Sequence, residues 1–144
     1  MKIQIVSVLF LLTFVALAAD TNNPVPPPSA AYTPAQIQLG QYLVERVAMC
    51  ADCHTPKTDS GAYDRSQWLL GDMVDIKPVE KRPFALVAPM IAGLPNFPTD
   101  AQALKFFETG TNEVGKLALA PMPQFRFNHE DATAVVAYLR SLKH

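Results

Sequence analysis

The only two cysteines of the 144-residue chain stand three positions apart and are followed at once by a histidine, in the run Cys50-Ala51-Asp52-Cys53-His54. Two thiols at this spacing reach the two vinyl groups of one porphyrin from a single turn of backbone, and each adds to its vinyl to form a thioether. The imidazole of the next residue then lies under the ring, where His54 can bind the iron as its proximal ligand. The pentapeptide therefore points to one covalently attached haem.

Other chemistries use a cysteine pair. A dithiol redox couple sits at a strand-to-helix junction in a βαβ pattern, and no such pattern is visible. A structural zinc needs four ligands; beyond Cys50, Cys53 and His54 only His129 and His144 remain, with no second cysteine pair. A disulfide between Cys50 and Cys53 would close too short a loop to stabilise much.

Covalent haem is added outside the cytoplasmic membrane in bacteria, so the motif calls for export. Lys2 is followed by a mostly apolar run from Ile3 to Ala19, centred on Val8-Leu9-Phe10-Leu11-Leu12. Ala16-Leu17-Ala18 has the small-x-small form of a signal peptidase site, so residues 1–18 are predicted to be a signal peptide and the mature chain to start at Ala19. The alternative is a retained anchor, but the run is short for a span and carries Gln4, Ser7 and Thr13. No cysteine stands near the cut to take a lipid. The expected location is the periplasm or the outer face of the cytoplasmic membrane. Removal of Lys2 leaves eleven basic against thirteen acidic residues, a formal charge of about −2. That balance, without a basic run, excludes nucleic acid as a partner.

Residues 19–32 include Pro24-Val25-Pro26-Pro27-Pro28-Ser29, which favours extended polyproline geometry and reads as a tail or linker. Residues 33–144 form one small domain whose core is modest without a haem to pack on. Thr33-Pro34-Ala35-Gln36 is a capping box opening a helix, with Ile37, Gly40, Leu43, Val44 and Val47 at helical spacing ahead of Cys50. Thr99, with Gln102 in the box position, opens a second helix that Gly110 stops. Asn128 opens a third, with Val135, Val136, Tyr138, Leu139 and Leu142 on its apolar side and Arg140, Lys143 and His144 suiting its C-terminus. Thr55 to Pro98 reads as loops, with one helical turn near Arg65 to Leu69.

A helix entering C-x-x-C-H, a loop-rich centre, a late Pro-Met and a last helix carrying an aromatic resemble the class I cytochromes c over Thr33 to His144. Gly40-Gln41-Tyr42-Leu43-Val44, Trp68, Ile91-Ala92-Gly93-Leu94 and Ala120-Pro121-Met122-Pro123 look most like small mono-haem carriers or haem subunits of bacterial dehydrogenases and oxidases. The resemblance implies an all-α cytochrome c fold: about three main helices and long loops around one covalently bound haem c, with Cys50 and Cys53 as its attachment points. It also implies that the first and last helices cross with a small residue facing an aromatic, Gly40 against Tyr138. The glycine lies further before Cys50 than is common, so Tyr42 or Leu43 can share that contact.

In the family the distal ligand is a methionine on a loop before the last helix. Of five methionines, Met1 belongs to the signal, Met49 adjoins Cys50, and Met73 reads as solvent-facing. Met90 follows Pro89 in an apolar stretch, whereas Met122 stands between Pro121 and Pro123, whose restricted backbones stiffen its loop. Met122 is the expected iron ligand opposite His54, and Met90 the alternative; a distal His129 or His144 would give a lower potential. Pro56, or a later loop proline, supplies the carbonyl behind His54. Trp68, Tyr63 and Arg65 either face the haem propionates or are ordinary core and surface. Lys57, Lys77, Lys81, Arg82, Lys116 and Arg126 are interleaved with acids and read as a mixed solvated surface rather than a docking ring.

The expected function is single-electron transfer between redox partners such as a dehydrogenase, an oxidase or another cytochrome. The chain itself is then not an enzyme, takes no small-molecule substrate, and can stay at the membrane through its N-terminus. The rival is a haem enzyme or gas sensor with an open distal site. N-terminal mass analysis of the mature protein is expected to find a chain starting at or next to Ala19; an intact Met1 in membrane-embedded protein would show a retained anchor instead.

Overall fold

The computed structural model describes residues 32–142. The signal segment, the tail before Tyr32 and the last two residues lie outside the described residues. Tyr32 itself belongs to the packed domain and not to the tail: its ring packs against the core and its hydroxyl donates to the Asp100 carboxylate.

The helices begin where the capping residues stand. Thr33 Oγ1 accepts from the Gln36 N–H at 3.2 Å and Gln36 Oε1 accepts from the Thr33 N–H at 2.9 Å, with proline in the first turn of α1, Pro34–Tyr42. The short α2 is Ala51–His54. Thr99 and Gln102 box the start of α3, Asp100–Thr109, which ends on Gly110 in the left-handed conformation. Asn128 Oδ1 accepts from the Asp131 N–H at 2.8 Å ahead of α4, His129–Ser141. Between α2 and α3 lie a 3₁₀ turn at Arg65–Gln67 and two short strands. These are β1, Asp72–Met73, and β2, Val87–Ala88, antiparallel with Asp72 opposite Ala88. Two-residue strands have no alternating run to reveal them in sequence. The domain is thus mostly helical with long loops, as expected, plus this small sheet.

α1 crosses α4 at Gly40. A Cβ on Gly40 would lie 1.8 Å from the Ala134 carbonyl oxygen and 2.8 Å from Tyr138 Cβ. The expected pairing of Gly40 with Tyr138 holds because the chain widens into a π turn over Leu43–Val47. The Ala48 N–H bonds the Leu43 carbonyl at 2.7 Å and the Cys50 N–H the Val44 carbonyl at 3.0 Å. A π turn takes up one extra residue, so the glycine keeps its partner despite its greater distance from Cys50. The same turn rotates Val47 off the apolar face, where α-helical spacing had put it; Val47 is exposed while Leu43 and Val44 are buried. Tyr42 is exposed and takes no part in the core.

Around this crossing pack Val135, Val136 and Leu139 of α4, Phe107 of α3, and Leu69 and Leu94 of the loops. Tyr138 Oη donates to Glu45 Oε1 at 2.7 Å and accepts from Trp68 Nε1 at 3.2 Å. Burial first, and then the Glu45 carboxylate, push the Tyr138 hydroxyl up to about 12, so it keeps its proton and the bond. Arg140 is more than a charge at a helix end. It donates to Asp100 Oδ1 at 2.9 Å and to the carbonyls of Gly93, Leu94 and Phe97 at 2.8, 3.2 and 2.6 Å, fastening the 93–97 turn to α4.

Gly40→Ala is expected to lower holoprotein stability by about 2–3 kcal/mol, the upper end for overpacking, despite a helix-propensity gain of about 1 kcal/mol. Gln38→Ala on the exposed side of α1 is expected to stay within about 0.5 kcal/mol. Denaturant midpoints of the two variants check this, and an unchanged Gly40→Ala midpoint would contradict the tight crossing.

Candidate functional site

The π turn delivers Cys50 to the start of α2, and one helical turn brings Cys53 and His54 to the same wall of a cavity of about 470 Å³. His54 is buried and both thiols are half-buried. Residues 69–71 run alongside the motif. The Leu69 N–H donates to the buried Thr55 Oγ1 at 2.9 Å, and the Gly71 N–H donates to the His54 carbonyl at 2.9 Å.

His54 Nδ1 lies 2.7 Å from the Pro89 carbonyl oxygen. A carbonyl only accepts, so Nδ1 carries the proton and Nε2 is left with its lone pair. Burial lowers the His54 pKa, and the bond to Pro89 offsets part of that shift, so the ring is neutral at neutral pH. The carbonyl comes from the later loop proline and not from Pro56, whose own carbonyl accepts from the Asp64 N–H. Sequence left Pro89 unspecified because its approach depends on the β1–β2 pairing, which ends one residue before it.

Met122 lines the cavity between Pro121 and Pro123, with its N–H on the Leu119 carbonyl at 3.1 Å. Met90 and Met49 line it too, whereas Met73 is exposed and does not. Ile91, Leu94, Phe97, Phe106 and Phe125 supply apolar wall. These wall residues come from loops and one helix, and their convergence had no local sign beyond the apolar stretch Ala88 to Leu94.

Tyr63, Arg65 and Trp68 do not line this cavity. Tyr63 donates to Asp52, Trp68 bonds Tyr138, and exposed Arg65 stacks 4.0 Å over the Trp68 ring. Lys57, Lys77, Lys81, Arg82, Lys116 and Arg126 are exposed and none lines the cavity. His129 is exposed, with Nδ1 2.7 Å from Glu108 Oε1, and also lies outside the cavity; His144 is outside the described residues.

The site fits a covalently held haem better than the other uses of a cysteine pair. Its volume is that of a cofactor pocket, typically about 300–1,000 Å³. Asp52 is the one carboxylate or cationic side chain in its lining, apart from the neutral His54. Burial pushes the Cys50 thiol up to about 12, the reverse of an activated redox thiolate. Both cysteines are free, and among the described residues no group of three or more His, Cys, Asp and Glu is placed to hold a metal ion. His54 Nε2 and the two thiols are the groups that would hold the iron and the ring.

Comparison with known proteins agrees with this geometry. A diheme cytochrome c-type of Cereibacter sphaeroides is 50% identical over 34 residues, covering 24% of this chain and 12% of that protein's own length. The family model for cytochrome c matches residues 37–143, from the middle of α1 to beyond the end of α4. The chain belongs to the cytochrome c family of haem-binding electron carriers.

Proposed function

We propose that this chain is a mono-haem electron carrier, with Cys50 and Cys53 attaching the haem and His54 and Met122 as its axial ligands. The observation that carries this reading is the convergence of both thiols, a neutral His54 with Nδ1 already committed, and a proline-flanked Met122 on one apolar cavity. The chain has only two cysteines, both in one C-x-x-C-H run, which supports one haem although the Cereibacter relative is named diheme. Met122 is favoured over Met90 on backbone grounds. Met90 directly follows Pro89, whose carbonyl holds the back of the His54 ring, so its backbone is tied to the His54 side.

The bound group supplies a one-electron ferrous–ferric couple. The protein's residues do the rest. Pro89 fixes the tautomer and plane of His54 and raises its basicity. Met122 offers a thioether, which favours the reduced iron and raises the potential. With both axial positions taken by side chains, the chain leaves none for a substrate and works as a carrier, not an enzyme. The signal-like residues 1–18 support a site of action outside the cytoplasmic membrane, with redox proteins such as a dehydrogenase, an oxidase or another cytochrome as partners.

Replacing Met122 by Ala in the holoprotein is expected to remove the sulfur–iron charge-transfer band, lower the reduction potential, and let carbon monoxide bind. Met90→Ala is expected to leave the band in place. Loss of the band in Met90→Ala alone would move the ligand to Met90. A wild-type protein that is high spin and binds carbon monoxide readily would overturn the carrier reading.

A further inference from the structure

Gly71 lies against the backbone of both residues that form the His54–Pro89 bond. Its N–H donates to the His54 carbonyl at 2.9 Å. Its backbone has φ +95°, and a Cβ there would lie 2.7 Å from the Ala88 carbonyl oxygen, 2.8 Å from the Met90 nitrogen and 2.9 Å from the Pro89 carbonyl carbon. All three are backbone atoms and cannot swing aside as a side chain would. The segment beyond them is fastened as well, because the Ile91 and Ala92 N–H groups bond the Leu69 carbonyl at 3.0 and 3.2 Å. A side chain at position 71 must therefore drive the Pro89 peptide away from Gly71. The Gly71 N–H holds the His54 backbone carbonyl, so a Pro89 peptide pushed off Gly71 no longer keeps its place against the imidazole.

We propose that Gly71 is a positioning residue for the iron ligand: its missing side chain lets the Pro89 carbonyl close on His54 Nδ1, and this contact sets how strongly the imidazole donates. The proposal rests on the reading of His54 as the proximal ligand. A weaker Nδ1–H···O bond leaves a less basic imidazole, which stabilises ferric iron less, so the potential rises when position 71 gains a side chain.

Gly61 provides the matched control. It too has a left-handed backbone, φ +81°, but a Cβ there meets nothing within 4 Å. Alanine at either position strains the backbone, and only alanine at 71 also displaces Pro89. The test compares full-length holoproteins of wild type, Gly71→Ala and Gly61→Ala by NMR of the ferrous state and by redox titration. In Gly71→Ala the His54 Nδ1 proton is expected to exchange with solvent about tenfold faster, equivalent to about 1.4 kcal/mol, and the potential to rise. In Gly61→Ala both are expected to match wild type, whatever the shift in denaturation midpoint.

Equal exchange and equal potential in the two variants would overturn the positioning role and leave Gly71 a backbone requirement only. If Gly71→Ala does not accumulate, Gly71→Asn carries the same comparison against Gly61→Asn, because asparagine tolerates left-handed backbone. Failure of both Gly71 variants to yield holoprotein beside intact Gly61 variants would also overturn it, since position 71 would then serve folding and nothing finer. Failure of the underlying reading looks different: in that case wild type itself lacks a ring-current-shifted His54 resonance.

Discussion

The walls of the cavity depend on one close crossing, that of α1 over α4 at Gly40, where a methyl group would fall 1.8 Å from a backbone oxygen. α1 runs from this point into the π turn and so sets where Cys50 starts its helical turn. α4 runs from it to Leu139 and Arg140, whose carbonyl and guanidinium fasten the 93–97 turn, which lines the same cavity. Two sequence-distant walls are therefore aligned by a single helix pair. The part-buried Tyr138–Glu45 bond and the Trp68 donor lock the pair, and an unpaired hydroxyl there would cost stability.

Inside the cavity, low polarity governs the chemistry. Burial disfavours the Cys50 thiolate and the His54 imidazolium, so both groups would meet a haem uncharged. A neutral ring with its Nδ1 proton held by Pro89 has one lone pair left to give, at Nε2. An apolar wall would also disfavour the more highly charged oxidation state of a bound haem, the same direction in which the proposed thioether ligand would act. The turn carrying Pro89 is held by the Leu69 carbonyl, and the next turn by Arg140.

Much of this was legible in the sequence because it rests on local rules. The capping residues Thr33, Thr99 and Asn128 announced the long helices, and Gly110 the end of one. Cys50, Cys53 and His54 announced the cofactor because attachment needs a fixed local spacing, and Gly40 with Tyr138 followed from the family resemblance. What stayed hidden was non-local. The π turn has no residue signature, so α-helical spacing puts Val47 on the apolar face and Tyr42 near the crossing, whereas both are exposed. Pro89 could not be singled out from among thirteen prolines without the β1–β2 pairing that brings it behind His54. Trp68 bonds Tyr138 and Arg65 stacks on Trp68, partnerships that no local pattern announced. Arg140 read as a helix-end charge because nothing local shows three carbonyls converging on it.

The central claim is that His54 and Met122 close both axial positions of one haem. Proton NMR of the wild-type ferrous holoprotein tests it most directly. The account predicts a diamagnetic spectrum with one three-proton methionine methyl singlet shifted far upfield by the ring current, assigned to Met122, beside upfield-shifted ring protons of His54. A paramagnetic high-spin spectrum, or a shifted methyl belonging to another residue, would contradict it.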